Sequence, residues 1–252
     1  MKILIVCAAD RSKYFIALNA IKFINKTKLD DLTVCVLDNN KEIIKYLKKN
    51  NIKYINKNLD IFFKKIQKNY YDWLLNIWGS KIFKKKFLNN FKNNLNLHPA
   101  YLPYNRGRDP YYFSIINNTP AGICIHEMDK SVDGGRYFLK EKINYKFPTT
   151  AGEIFNKSLK NIRDLFIKNW LKIRMKKIKI KKYNTEIKTV NKRKELILNN
   201  FIDLDYESNK RIRKFVLNCL AQDFDFLKQQ IKIFDKIYNC ELKLKLANKK
   251  KW

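Results

Sequence analysis

The first hundred residues alternate short apolar runs with stretches of helical period, and this alternation leaves the chain few architectures to adopt. Runs at 2–7, 32–37, 52–55, 73–77 and 95–97 read as strands, and helical periods at 12–24, 41–49 and 61–68 separate them. A run that is apolar at every position, such as Ile3-Leu4-Ile5-Val6-Cys7, suits a strand buried on both faces. Strands alternating with helices in this way give an α/β fold: a Rossmann-like, mostly parallel sheet with helices on both faces. The first strand-to-helix turn, Ala8-Ala9-Asp10-Arg11-Ser12, contains no glycine. It therefore lacks the close backbone approach that a dinucleotide pyrophosphate requires, which argues against an NAD site.

Beyond residue 98 the pattern changes. A proline-bounded loop at 99–110 leads to a short helix at 111–116, a turn at 117–120, and strands at 122–128 and 136–143. Thr150 and Glu153 have the spacing of a capping box, and Phe155, Leu159, Ile162, Phe166 and Ile173 keep one apolar face. A long helix is therefore expected to close a main domain at 1–177. The basic run at 176–182 suits a linker, and 178–252 reads as a C-terminal accessory module, a small α+β extension. Within it, 187–190 is strand-like, 208–220 helical, and the alternating runs at 230–234 and 242–246 read as a terminal β-hairpin. So small a module suits completing a binding surface or a subunit interface, as in a homodimer.

A chain of 252 residues with 46% hydrophobic and 14% aromatic residues can bury a substantial core. Its net charge of +31 suggests a polyanionic partner, but the basic residues are spread along the whole chain among Asn and Ile, as a solvated lysine coat would be. On that reading nucleic acid is not the expected partner. The five cysteines (Cys7, Cys35, Cys124, Cys219, Cys240) are widely spaced with no Cys-x-x-Cys, and read as buried thiols in a reducing compartment. Two histidines far apart do not supply a metal site, so none is expected. No window approaches the roughly twenty apolar residues of a membrane span, and the N-terminal run is short for a signal peptide. A cytoplasmic protein without membrane association is expected.

The rarer residues concentrate in one region. Both histidines (His98, His126), four of five prolines and five of six glycines fall between Gly79 and Gly135. Asn96-Leu97-His98-Pro99 places an amide and an imidazole two residues apart, on one face of a strand end. Thirty-five residues after His98 comes Val132-Asp133-Gly134-Gly135, whose glycines suit a tight turn. A carboxylate near an imidazole raises its basicity and selects its tautomer, while an amide beside them can hold a neutral amine or an oxyanion. In sheets of this class, ligands bind beyond the carboxyl ends of the strands.

The phrases Asn96-Leu97-His98-Pro99, Leu102-Pro103-Tyr104-Asn105-Arg106-Gly107 and Val132-Asp133-Gly134-Gly135 resemble the folate-dependent formyltransferases. These move a formyl group from 10-formyltetrahydrofolate to an amine, and their Asn-x-His and downstream Asp fall on Asn96, His98 and Asp133. The resemblance covers about residues 1–175 as fold and 70–145 as motif. The run at 102–112 is most similar to the nucleotide-sugar N-formyltransferases, which act on deoxyaminosugars such as dTDP-4-amino-4,6-dideoxyglucose for surface polysaccharides, lipopolysaccharide or O-antigen among them. Ile202-Asp203-Leu204-Asp205 with Arg211 and Arg213 is similar to their C-terminal extension.

The resemblance implies a metal-free transfer. His98, cationic or donating, would stabilise the tetrahedral oxyanion. Asn96 would hold the amine and the formyl oxygen, and Asp133 would orient His98 and accept the amine proton directly or through water. For the reduced folate it implies a pocket at Trp78, Gly79, Ser131 and Val132, although Trp78 fits a core position as well. For the nucleotide-sugar, Arg106 and Arg108 have guanidinium forks suited to phosphate, and equally suit solvated charges. Arg11 and Asn105 are further candidates, and Tyr111 suits either stacking on a ligand or anchoring its helix. His126 reads as structural. Three rival functions remain: a methionyl-tRNA formyltransferase, whose larger C-terminal domain the tail is short for; a glycinamide ribonucleotide formyltransferase, which lacks such a tail; and a non-catalytic binding module.

Overall fold

The computed structural model describes residues 1–7, 14–79, 81–145, 149–184, 190–192, 210–221, 229–233 and 236–240. The chain divides into two compact units, Met1–Arg193 and Lys194–Trp252. In the first, β1 (Lys2–Cys7), β2 (Asp31–Val36), β3 (Lys53–Ile55), β4 (Trp73–Asn76), β5 (Asn93–His98), β6 (Gly122–His126) and β7 (Tyr137–Lys142) form one sheet. Its order is β3-β2-β1-β4-β5-β6-β7. The strands from β3 to β5 run parallel, while β6 and β7 are antiparallel additions at one edge.

The apolar run of β1 shows why this sheet is central. Ile3 to Cys7 are fully buried, with Ile3, Ile5 and Cys7 in one cluster and Leu4 and Val6 in the other. The first cluster lies under α1 (Tyr14–Thr27), α2 (Lys41–Lys49) and α6 (Ala151–Arg174). The second lies under α3 (Leu59–Lys64) and α4 (Lys85–Leu88), with Phe63, Phe83, Leu88 and Phe91 as its aromatic and aliphatic filling. Helices thus cover both faces, as the strand-helix alternation implies. The four-residue α4 was not expected from the sequence, being too short to show a helical period.

Helix α6 begins at the expected capping box: Thr150 accepts from the Glu153 amide at 3.2 Å, and the Glu153 carboxylate accepts from the Thr150 amide at 2.9 Å. Its inner face carries Leu159, Ile162, Phe166, Trp170 and Ile173 into the core, where Trp170 meets Trp73 of β4 edge-on at 5.4 Å. Its last turn is tied to the start of the sheet, because Arg174 grips the fully buried carboxylate of Asp30 at 2.8 and 2.9 Å. Beyond α6 the chain stays with the first unit. Lys181 bridges to Tyr137 at the free edge of β7, and Asn191 bridges to Gly107.

The second unit holds α7 (Lys210–Ala221) and a two-stranded antiparallel sheet of β8 (Gln229–Ile233) and β9 (Lys236–Cys240). The expected hairpin exists, but its second strand is the stretch read from sequence as the connection. Lys236-Ile237-Tyr238-Asn239-Cys240 alternates as a strand should, and pairing it with β8 closes a tighter turn than 242–246 could. Residues 187–189, 201–205 and 242–246 lie outside the described residues. Cys7, Cys35 and Cys124 are free, buried thiols, and burial pushes that of Cys35 up to about 12.

Candidate active site

The carboxyl end of β5 is where the sheet turns polar. Leu95 and Leu97 enter the α6-side core, so Asn94, Asn96 and His98 point to the opposite face. The register continues that face across the sheet. Asn76 of β4 sits beside Asn96, and Asn96 beside His126 of β6, while His98 is opposite Cys124, which is opposite Lys140. Two polar rows therefore cross the sheet, Asn76-Asn96-His126 and His98-Cys124-Lys140.

Asp133 reaches this face from the β6–β7 connection. Glu127 and Arg136 close its base, with a backbone hydrogen bond of 2.7 Å and a side-chain pair at 2.7 Å. Gly135 is required there, since a Cβ would lie 2.0 Å from the Glu127 carbonyl oxygen. Asp133 itself takes a left-handed conformation, φ 48°. Its Oδ2 accepts from the Gly107 amide at 3.0 Å and lies 3.7 Å from His98 Nδ1; its Oδ1 accepts from Asn96 Nδ2 at 3.3 Å and lies 3.5 Å from His126 Nε2. All three residues of the sequence constellation are thus brought together.

The electrostatics assign states. Burial drives the Asp133 carboxyl upward, but the neighbouring His98 and His126, with the Gly107 amide, overcome it and hold the group well below the usual carboxylate range. Asp133 is ionised. Burial holds His98 below the ordinary imidazole value of 6.5 against the Asp133 field and the Asn105 backbone, and His126 pushes the same way as burial. At neutral pH His98 is uncharged. Its Nδ1 faces the carboxylate 3.7 Å away, which favours the proton on that nitrogen, and its Nε2 is buried without a hydrogen-bond partner among the described residues.

Beside this centre lies an open cleft of about 610 Å³. Leu88, Phe91 and Met128 line it together with Lys68, Lys85 and Lys130. It includes Asn94, whose Oδ1 accepts from the Met128 amide, two residues along β5 from Asn96. Cleft and centre therefore share one strand face and one loop. Among the described residues no three His, Cys, Asp or Glu side chains are grouped as metal ligands, and no helix is long and apolar enough to cross a membrane.

The family model described as formyl transferase matches residues 18–169, from α1 to α6. The chain belongs to the formyl transferase family. One relative, the dTDP-4-amino-4,6-dideoxyglucose formyltransferase of Mycobacterium bovis, is 31% identical over 80 residues, 32% of this chain and 34% of that protein. The methionyl-tRNA formyltransferase of Rickettsia prowazekii is 37% identical over 75 residues, 29% of this chain and 25% of that one. The matched segment thus spans about a third or less of these relatives. Over the whole fold, a 4-N formyltransferase from Francisella tularensis overlays with a TM-score of 0.67 at 24% identity, covering 98% of both chains.

The remaining expected residues of this formyl transferase fall into distinct places. Trp78 adopts φ 62° and turns its ring toward Phe155 of α6, 6.3 Å away, so on the site side Trp78 and Gly79 offer backbone. The backbone and hydroxyl of Ser131 are both engaged by Asp129, and the Val132 carbonyl accepts from Arg106 Nε at 2.8 Å. Arg106 therefore ties the 104–108 loop to the Asp133 loop, while the Arg108 side chain is exposed. Asn105 is turned inward, its amide engaged with Ser114 and Thr119 at 2.8–3.1 Å, which fastens the loop to α5 (Pro110–Ile116). Tyr111 packs on Phe155 at 4.6 Å and donates to Asp109. Arg11 lies outside the described residues.

Three participants were not assigned to the site from sequence. His126, read as structural, has Nε2 3.1 Å from Asn96 Nδ2, and its pairing depends on the antiparallel register. Asn76 donates to Asn96 Oδ1 at 3.0 Å; the signal was an asparagine closing the apolar run Trp73-Leu74-Leu75. Asn191 holds the loop from the other side, donating to the Arg106 carbonyl at 2.9 Å and accepting from the Arg108 amide at 3.0 Å.

Proposed function

We propose that this chain is an N-formyltransferase that moves the formyl group of 10-formyltetrahydrofolate to the amine of a nucleotide-linked deoxyaminosugar, of the dTDP-4-amino-4,6-dideoxyglucose type. The observation that carries the reaction is the buried Nε2 of a neutral His98, without a hydrogen-bond partner among the described residues, with Asp133 behind its other nitrogen and Asn96 beside it. A neutral amine attacks the formyl carbon and generates an oxyanion and an ammonium. His98 Nε2 takes the ammonium proton; Asp133, held ionised, is the weaker base and instead stabilises the resulting imidazolium. That imidazolium is the first donor available to the oxyanion, and the Asn96 NH2 joins it by sharing an N–H that otherwise rests on Asp133 Oδ1 or His126 Nε2.

The cleft fits a reduced folate: an apolar floor of Leu88, Phe91 and Met128 suits a flat heterocycle, and the lysines suit its glutamate carboxylates. Trp78, Gly79, Ser131 and Val132 are not among the residues that line the cleft, and as folate contacts they rest on the family resemblance alone. For the sugar, support comes from the exposed Arg108 beside half-buried Arg106 as diphosphate ligands, and from the similarity to the Mycobacterium bovis dTDP-4-amino-4,6-dideoxyglucose formyltransferase. Asn105 acts on this substrate by shaping the loop. The same reading places the enzyme in the cytoplasm, serving surface-polysaccharide synthesis, with 178–252 pairing two copies of the chain.

A second reading, formylation of an initiator tRNA, is favoured by the 37% identity to the Rickettsia protein and by the charge of +31. Incubation with 10-formyltetrahydrofolate and, separately, the dTDP-aminosugar, initiator tRNA and glycinamide ribonucleotide distinguishes them by mass. The sugar is the expected acceptor; formylation of tRNA alone would replace this reading.

A further inference from the structure

We propose that Asn76 is a positioning residue, which fixes the direction of the Asn96 amide and so decides that the site presents an N–H donor, not an oxygen, toward Asp133. The inference rests on the formyl-transfer reading for its consequence, though the orientation itself can be measured without turnover.

Three groups at the ends of the polar row can only accept hydrogen bonds: the carbonyls of Gly79 and Glu127, and the ionised carboxylate of Asp133. Asn76 Nδ2 is 3.3 Å from the Gly79 oxygen and 3.0 Å from Asn96 Oδ1, so both of its hydrogens are directed at oxygens. Asn96 then turns its own NH2 toward Asp133 Oδ1 at 3.3 Å and His126 Nε2 at 3.1 Å. His126 Nδ1 donates to the Glu127 carbonyl at 2.7 Å, which leaves Nε2 as the acceptor Asn96 requires. Each hydrogen bond along the row pairs a donor with an acceptor in this arrangement, at the cost of the 3.5 Å approach of His126 Nε2 to Asp133 Oδ1. Reversing Asn96 would set its NH2 against that of Asn76 and its oxygen against a carboxylate and a lone pair.

The setting of Asn76 argues that the row is maintained for this purpose. The residue is 5% exposed at the end of a strand whose other members are apolar, and its Oδ1 has no hydrogen-bond partner among the described residues. A leucine, as at the two preceding positions, would avoid that burden. The neighbouring turn is shaped around the amide as well, since a Cβ on Gly79 would lie 2.0 Å from Asn76 Oδ1. None of these contacts touches a reacting atom, so Asn76 acts through Asn96.

The test compares the full-length wild type with Asn76→Asp and Asn76→Leu. In Asn76→Asp the new carboxylate can only accept, so Asn96 reverses, and kcat falls about 10²-fold, as for loss of one oxyanion donor. KM for both substrates shifts less than about threefold. Asn76→Leu, which removes the anchor without reversing the amide, loses about tenfold in kcat. Nitrogen NMR of the imidazoles supplies a readout that a merely structural role would not move: His126 Nε2 is unprotonated in the wild type and protonated in Asn76→Asp, while Nδ1 keeps the proton that the Glu127 carbonyl accepts in both. A folded Asn76→Asp with kcat within about twofold of wild type, or with His126 Nε2 still unprotonated, overturns the proposal. If that variant does not fold, the wild type alone decides, because a proton on His126 Nε2 there means that Asn96 faces the other way. A wild type inactive toward every acceptor would refute the functional reading and leave the nitrogen measurement to judge Asn76.

Discussion

Strand β5 has two sides with opposite duties. Leu95 and Leu97, 0% and 3% exposed, fill the core beneath α6, whereas Asn94, Asn96 and His98 on the other side hold the cleft loop and the candidate reaction centre. Since consecutive residues of one strand serve the fold and the chemistry separately, mutation should separate them too. The polar side is not designed for stability: it holds an ionised, largely buried carboxylate and, among the described residues, gives Nε2 of His98 no hydrogen-bond partner.

The comparison breaks most visibly at the polar side. His98→Ala is expected to lower kcat/KM about 10³-fold and Asp133→Asn about 10²- to 10³-fold, with thermal unfolding midpoints close to that of the wild type. Steady-state kinetics beside a melting curve checks this; near-wild-type turnover in either variant would remove that residue from the reaction. On the apolar side Leu97→Ala should do the reverse. Its cavity costs about 2–4 kcal/mol in denaturant unfolding, while kcat per folded molecule stays within about twofold. A stable but inactive Leu97→Ala would show that the two sides are not independent.

The smallest effect is in the pH profile. His98 must be unprotonated to take the amine proton, and its value is held below 6.5, so activity is retained as pH falls through 6.5 and is lost only beneath it. An acidic limb of kcat/KM lying above 6.5 would place the titrating group elsewhere.

What could be read in advance follows the same division. The buried runs of β1 and β2, the Thr150 capping box and the shared face of Asn96 and His98 are local patterns, with periods that the sequence displays directly. Pairings that depend on register were hidden. Asn76 meets Asn96 only because β4 and β5 run parallel in one alignment, and His126 joins them because β6 reverses direction. Asn105 shows a third kind of gap: a loop asparagine beside arginines reads as a ligand contact, yet two hydroxyls within the chain, Ser114 and Thr119, claim its amide. In the hairpin, the run at 236–240 alternates as well as the one expected from sequence, and its pairing with β8 depends on turn length that alternation does not display.

The clasp at Asn191 bears on how such chains can be recombined. It grips the backbone on both sides of Gly107, the residue whose amide touches Asp133, so the end of the first unit is stitched into the loop that contacts the candidate reaction centre. A hybrid joined just after α6 would inherit one parent's reaction centre with the other parent's stitch. Tails can be traded between relatives without retuning the centre only if the junction falls past residue 192.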